Sequence, residues 1–343
     1  MTKFKLLLIV LSVLLISCQF SGTSTAGQRE IETHVGFDGL TAEFSKDAPP
    51  QVVFEESRFP ILLKLRNNGA YDIKEKKGTI TIGREKDYVT RLDQATSTKV
   101  GVFSEGSDSA SFDVDGKSIL NPYGEEILLQ WNAKAGKLDP QSEIKQSVIT
   151  ATLCYPYQTI LTATICIDPD TFGLRPGKKA CNVKDIGFGS GQGAPVAVTR
   201  IEQQMIPHGD TSIKPQFLIF LENRGKGTPV NIFNYNDICT KPFSDTKNLW
   251  NTVRIKAFVS GNKQLICCPN AEGRCSESET NPDNMAGIIR LKDNKNFVRC
   301  VFQNKDAVPK NYDAYTSPLK VELDYGYVQS LSANFNIHKP LKY

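Results

Sequence analysis

ATLCYPYQTILTATICI (residues 151–167) and VELDYGYVQSLSANFNI (residues 321–337) are one pattern written twice, 170 residues apart and ungapped over seventeen positions. Leu153, Tyr155, Tyr157, Leu161, Ala163 and Ile167 recur as Leu323, Tyr325, Tyr327, Leu331, Ala333 and Ile337. Apolar residues alternate with polar ones, the period of strands with one buried face. With alternation on both sides of a short connection, each copy is expected to form an antiparallel hairpin, the last of a domain.

A second repeat opens each half. FPILLKLRNNG (59–69) and QFLIFLENRG (216–225) both read as a strand closed by Asn67 or Asn223 and then a glycine, which takes a positive φ cheaply where a strand reverses. The offset here is 156 instead of 170, so the second half is expected to carry about fourteen extra residues. Cys239, Cys267, Cys268 and Cys275 lie in the stretch that follows. Turn signals at Lys77-Gly78, Asp115-Gly116 and Asn121-Pro122 separate short strands, and few segments show helical period. The chain therefore reads as all-β, with two tandem antiparallel sandwiches at 31–170 and 196–343. A linker at 171–195 contains GFGSGQG (187–193), and a Cys-rich insertion spans about 239–285.

The N-terminus has the layout of an export signal. Lys3 and Lys5 precede an apolar run, Leu6–Ile16, that is too short to span a bilayer comfortably. Leu15-Ile16-Ser17-Cys18 resembles a lipobox. Residues 1–18 are expected to be a signal peptide with the Cys18 thiol carrying lipid, ahead of a tether at 19–30. Simple cleavage and a retained anchor are the other readings. Eight further cysteines remain: Cys154, Cys166, Cys181, Cys239, Cys267, Cys268, Cys275 and Cys300. In an exported chain an even number reads as disulfides, whose pairing the sequence leaves open.

The repeated Asn-x-Gly strand and the Tyr-x-Tyr segment together resemble tandem immunoglobulin-like domains of the adhesion-module type, found in archaeal and bacterial surface lipoproteins. That resemblance implies Ig-like sandwiches on the outer face of the cell membrane or envelope. It also implies a non-enzymatic role in binding or assembly, with an envelope protein or glycan as partner and the membrane reached through the N-terminal lipid. The paired tyrosines fit either the tyrosine corner of such sandwiches or plain alternating burial.

Composition excludes other classes. A formal charge of +4, falling to +2 without Lys3 and Lys5, gives no basic stripe for nucleic acid. The glycines at 187–193 lack a following Lys-Ser or Lys-Thr, and His34, His208 and His338 stand in no catalytic motif. Asp113/Asp115 and Asp168/Asp170 read as turn residues before they read as calcium ligands. The cysteine spacing does not suit zinc, and neither a metal nor a cofactor is expected. Trp131 alternates with Ile127 and Leu129 and belongs in the core. Aromatic groups near the cysteines, Tyr235, Phe243 and Trp250, are the candidate binding surface. The alternative is an exported carbohydrate-processing enzyme or module using Asp245, Glu272, Glu277 or Glu279.

Overall fold

Strand β3 (RFPILLKLRN) buries every second side chain, from Phe59 through Ile61, Leu63 and Leu65 to Asn67, as its alternation requires. The structure, a computed structural model, describes residues 33–97, 103–104, 108–261, 263–268 and 286–340. The leader, Cys18, the tether, Cys275, Glu272, Glu277 and Glu279 lie outside the described residues.

The first half runs β1 (Leu40–Phe44), β2 (Val52–Phe54), β3 (Arg58–Asn67), β4 (Ile73–Arg84), β5 (Val89–Leu92), β6 (Thr96–Ser97), β7 (Phe103–Ser104), β8 (Ser109–Val114), β9 (Glu126–Ala135) and β10 (Ile144–Ile167). The second begins with β11 (Ile186–Gly187), β12 (Val196–His208), β13 (Ser212–Asn223) and β14 (Thr228–Val230). Helices α1 (Tyr235–Thr240) and α2 (Phe243–Thr246) and a 3-10 turn (Lys247–Leu249) follow. The chain ends with β15 (Thr252–Val259), β16 (Lys263–Gln264), β17 (Ile266–Cys268), β18 (Gly287–Arg290), β19 (Lys295–Val301), β20 (Val308–Pro309) and β21 (Tyr315–His338).

Each half owns a small sheet: β1-β3-β9-β5 with β6 on β9, and β11-β12-β13-β19-β17 with β20 on β13. A ten-stranded sheet, whose path is β16-β15-β21-β10-β4-β8-β7, belongs to both halves. Every strand pair is antiparallel except β2 on β21. Odd-numbered residues of β10 and β21 face inward, and the core they join is continuous from Ile61 and Trp131 to Phe217 and Val298.

The repeated tyrosine segments are not hairpins. Each lies within one unbroken 24-residue strand, and the two strands pair with each other along their whole length, Ile144 with His338 and Ile167 with Tyr315. The reason lies in phase. A two-residue reversal would move the apolar positions from odd to even numbers, whereas Leu153, Tyr155, Tyr157 and Leu161 stay odd straight through Pro156. Proline is tolerated because β4 leaves β10 after Cys154, so the missing N–H deprives no ladder on that side. Instead of each closing a separate sandwich, the two segments form one seam, and residues from Thr33 onward make one compact unit.

The register is symmetric about Pro156 opposite Gly326. Tyr155 faces Tyr327 and Tyr157 faces Tyr325, so exchanging equivalent residues of the two strands returns the same ladder. The neighbours obey the same operation, since Ile80 on β4 lies beside Leu153 as Ile255 on β15 lies beside Leu323. The offset between matching positions thus grows from 156 at Asn67/Asn223 to 175 at Ile80/Ile255, placing about nineteen extra residues before β15. The surplus is the segment of α1, α2 and the 3-10 turn. The insertion expected at 239–285 is corrected accordingly: β15 runs through it as a core strand, with Val253, Ile255, Ala257 and Val259 buried.

Candidate functional site

At the seam four tyrosine rings, Tyr155, Tyr157, Tyr325 and Tyr327, gather with centroids 5.9–6.2 Å apart. The two repeats secure Tyr157 and Tyr327 in the same way. Tyr157 donates its hydroxyl hydrogen to Asn67 Oδ1 (3.2 Å) and Tyr327 to Asn223 Oδ1 (3.1 Å). The asparagine amides donate to the carbonyls of Tyr71 and Gly227, four residues on in each case. Gly69 and Gly225 sit where an added Cβ would run into those tyrosine hydroxyls, which explains the glycine of each Asn-x-Gly turn. Burial pushes all four phenols above their ordinary pKa, so they stay neutral hydrogen-bonding groups with no acid-base role near neutral pH.

The surplus segment lies over this seam on the outer side of the shared sheet. Cys154, in the middle of β10, is bonded to Cys239 at the end of α1. Beneath α1, Tyr235 is buried with Val230, Cys154 and Val328, and its hydroxyl donates to the Lys77 carbonyl (3.0 Å). A side chain at Gly326 would collide with it. Tyr235 is therefore a packing residue instead of a contact surface. Trp250 packs half-buried on the same small cluster, its indole N–H donating to Thr246 Oγ1 (3.3 Å). Of the three aromatics singled out by sequence, Phe243 alone is exposed, with its ring 5.8 Å from Trp250. Phe233, which sequence reasoning passed over, is equally exposed and lies 5.4 Å from the Arg254 guanidinium.

The other cysteines are dispersed. Cys166 bonds Cys181 and Cys267 bonds Cys300, while Cys268 is also disulfide-bonded. The carboxylate pairs are occupied by the protein's own groups. The Lys179 ammonium sits 2.6 Å from Asp168 and 3.2 Å from Asp170. Partial loss of water works to raise Asp170, but the N–H groups of Arg175 and Leu174, with Lys179, outweigh it and hold its pKa low. Asp113 accepts the Lys76 N–H, and Asp115 pairs with Lys74. Asp245 accepts the neighbouring Ser244 hydroxyl. Among the described residues no group of three or more His, Cys, Asp or Glu side chains gathers as a metal site.

The outer face of the shared sheet, which sequence reasoning did not weigh, divides at the seam. In the first half, adjacent strands set Ser109, Thr81, Thr152 and Ser330 side by side. Thr150 beside Ser332, Val148 beside Asn334, and Gln146 beside Asn336 and Val52 follow in successive rows. Hydroxyls join across the strands at 3.1 Å (Thr150, Ser332) and 3.0 Å (Thr152, Ser330). At the symmetry-related positions of the second half, Thr79, Thr81, Thr150 and Thr152 are replaced by Arg254, Lys256, Lys320 and Glu322, and Cys154 by Asp324. There the ladder carries ion pairs, Lys256 to Asp324 at 3.6 Å and Lys320 to Glu322 at 2.7 Å.

No family model and no curated relative matches the chain. Among solved structures it is similar to one described as BspA_C_mut, with 6% identity over 88% of this chain and 99% of that one, at a TM-score of 0.21. It is also similar to the MSCRAMM ACE of Enterococcus faecalis, described as binding its ligands by the collagen Hug model (9% identity, 90% and 95% covered, TM-score 0.18). The collagen adhesin CNA from S. aureus aligns with 9% identity, 90% and 93% covered, and a TM-score of 0.16. At scores this low no site residue carries across.

Proposed function

We propose that the protein is an exported, non-enzymatic surface protein, tethered through lipid on Cys18, that holds an extracellular or envelope partner on the outer side of its shared sheet. The observation that carries this reading is the state of the cysteines: all seven within the described residues are disulfide-bonded, as suits an oxidising compartment. The Cys154–Cys239 bond adds a specific element, because it fixes the one surplus segment across the seam and presents Phe233 and Phe243 to solvent. A stapled surface loses less freedom on binding than a loose loop. A catalytic reading has less support, since the paired carboxylates Asp113/Asp115 and Asp168/Asp170 and the Asp245 carboxylate are engaged by lysines, a hydroxyl and backbone N–H groups at separate places.

Labelling with a radioactive fatty acid, combined with protease treatment of intact cells, tests the proposal. The wild type is expected to take label and be trimmed from outside, while Cys18→Ser takes none. Equal labelling of both chains, or full protection from the protease, would contradict the tethered surface reading.

A further inference from the structure

We infer that the first-half outer face of the shared sheet is a platform for a neutral polysaccharide. The inference rests on the reading of the protein as an exported binding protein, and it names the class of ligand. From the Thr81 row to the Asn336 row, the platform residues on β4, β10 and β21 include no ionisable side chain, in a protein where 23% of residues are charged. The fold does not impose this neutrality, because Lys256, Lys320 and Glu322 stand at the positions equivalent to Thr81, Thr150 and Thr152, over an equally buried core.

Hydroxyl and amide groups both donate and accept, and so do the hydroxyls of a sugar. An uncharged partner covers this face without stripping water from any ion, whereas a charged one would find its counterpart on the other half. The cross-strand hydroxyl pairs already hold each other in place, which lowers the ordering cost of binding.

The ends of the face are also suited to a sugar chain. At one end Phe54, 51% exposed, and Val52, 48% exposed, lie on β2 in register with His338 and Asn336 and offer apolar surface for the C–H face of a ring. At the other, α1 is stapled over Cys154 and forms a wall. Between them β21 runs from Val328 to Asn336, about 27 Å of extended strand, which suits an extended chain lying along the sheet better than a small molecule in a pocket.

The test uses the purified full chain, co-sedimented with cellulose and chitin and run through gels containing mannan or dextran, with a polyuronate as the anionic control. At least one neutral polysaccharide is expected to retain the protein, unchanged in about 0.5 M salt, while the polyuronate does not. Thr81→Lys with Thr152→Glu, the charges of Lys256 and Glu322 moved across the seam, is expected to weaken retention at least about tenfold without lowering the melting temperature. Phe54→Ala is expected to weaken it about fivefold, and Thr152→Ser to leave it intact. Should the double variant melt early, Ser332→Lys at an exposed position decides the same point.

Retention by none of the neutral polymers, equal retention by the polyuronate, or unchanged retention by a well-folded charged variant would overturn the inference. So would a wild-type dimer that Ser332→Lys dissociates, since the face would then be covered by a second copy of the chain. Any of these results, obtained with Cys18 labelling intact, removes the ligand and leaves the surface-protein reading standing.

Discussion

Seen from the core the two halves are the same object, and seen from solvent they are opposites. Inside, Tyr157 with Asn67 and Gly69 matches Tyr327 with Asn223 and Gly225 bond for bond. Outside, threonines and serines on one side of Pro156 and Gly326 face lysines, arginines and carboxylates on the other. The interior must repeat because one symmetric ladder has to fit both small sheets, and close packing leaves little room for difference. The exterior is free of that constraint, so its divergence marks where the halves have separate tasks. Among the described residues the one covalent clamp across the seam, Cys154–Cys239, is likewise one-sided: the position equivalent to Cys154 is Asp324.

The shared interior can be broken chemically. Because burial raises the pKa of all four seam tyrosines, their protons stay on in the folded state after the unfolded chain begins to lose them near pH 10. Stability is therefore intact below about pH 10 and falls as pH rises beyond it, by about 5 kcal/mol per pH unit if all four hold their protons. Denaturant melts from pH 9 to 11 measure this slope. Tyr155→Phe and Tyr325→Phe should each reduce it by about a quarter, and by equal amounts if the halves are equivalent.

The clamp should show the asymmetry as a smaller effect. Cys154→Ser with Cys239→Ser opens a loop of sequence separation 85 and is expected to cost about 4.5 kcal/mol, whereas Cys166→Ser with Cys181→Ser, at separation 15, costs about 3 kcal/mol. Urea melts of the two double variants give the ranking. A reversed order would mean that α1 is held mainly by packing on Tyr235. Smaller still is the effect at the asparagines, where Asn67→Ala and Asn223→Ala each remove the acceptor of a buried tyrosine O–H and are expected to lose about 1–3 kcal/mol. Equal losses sharpen the likeness of the halves. A loss at Asn67 alone would confine the lock to the first half.

The two repeats, the alternating strands and the core position of Trp131 were legible in the sequence, because period-two burial is a local signal. The unbroken odd phase through Pro156 was legible too, although the proline and glycine suggest a turn to any reading that ranks local turn chemistry above phase. The pairing of β10 with β21 has no local signal: the strands are 170 residues apart, and each could satisfy its hydrogen bonds with other partners. The hydroxyl platform was hidden for the same reason. Thr81, Thr152 and Ser330 each look like ordinary outward residues, and only the ladder brings them side by side. Tyr235 misled because an aromatic in a polar, cysteine-rich stretch reads alike whether it covers a seam or faces solvent.

Native-state hydrogen exchange on the intact protein tests the shared sheet most directly. If β10 and β21 form one ladder, the amides that bond across it, within residues 148–163 and 319–333, can exchange only when both halves open together, so their denaturant isotherms should merge at a single free energy equal to that of global unfolding. Two separate plateaus, one for each half, would show that the halves unfold independently and would contradict the seam on which both the fold and the division of its outer face depend.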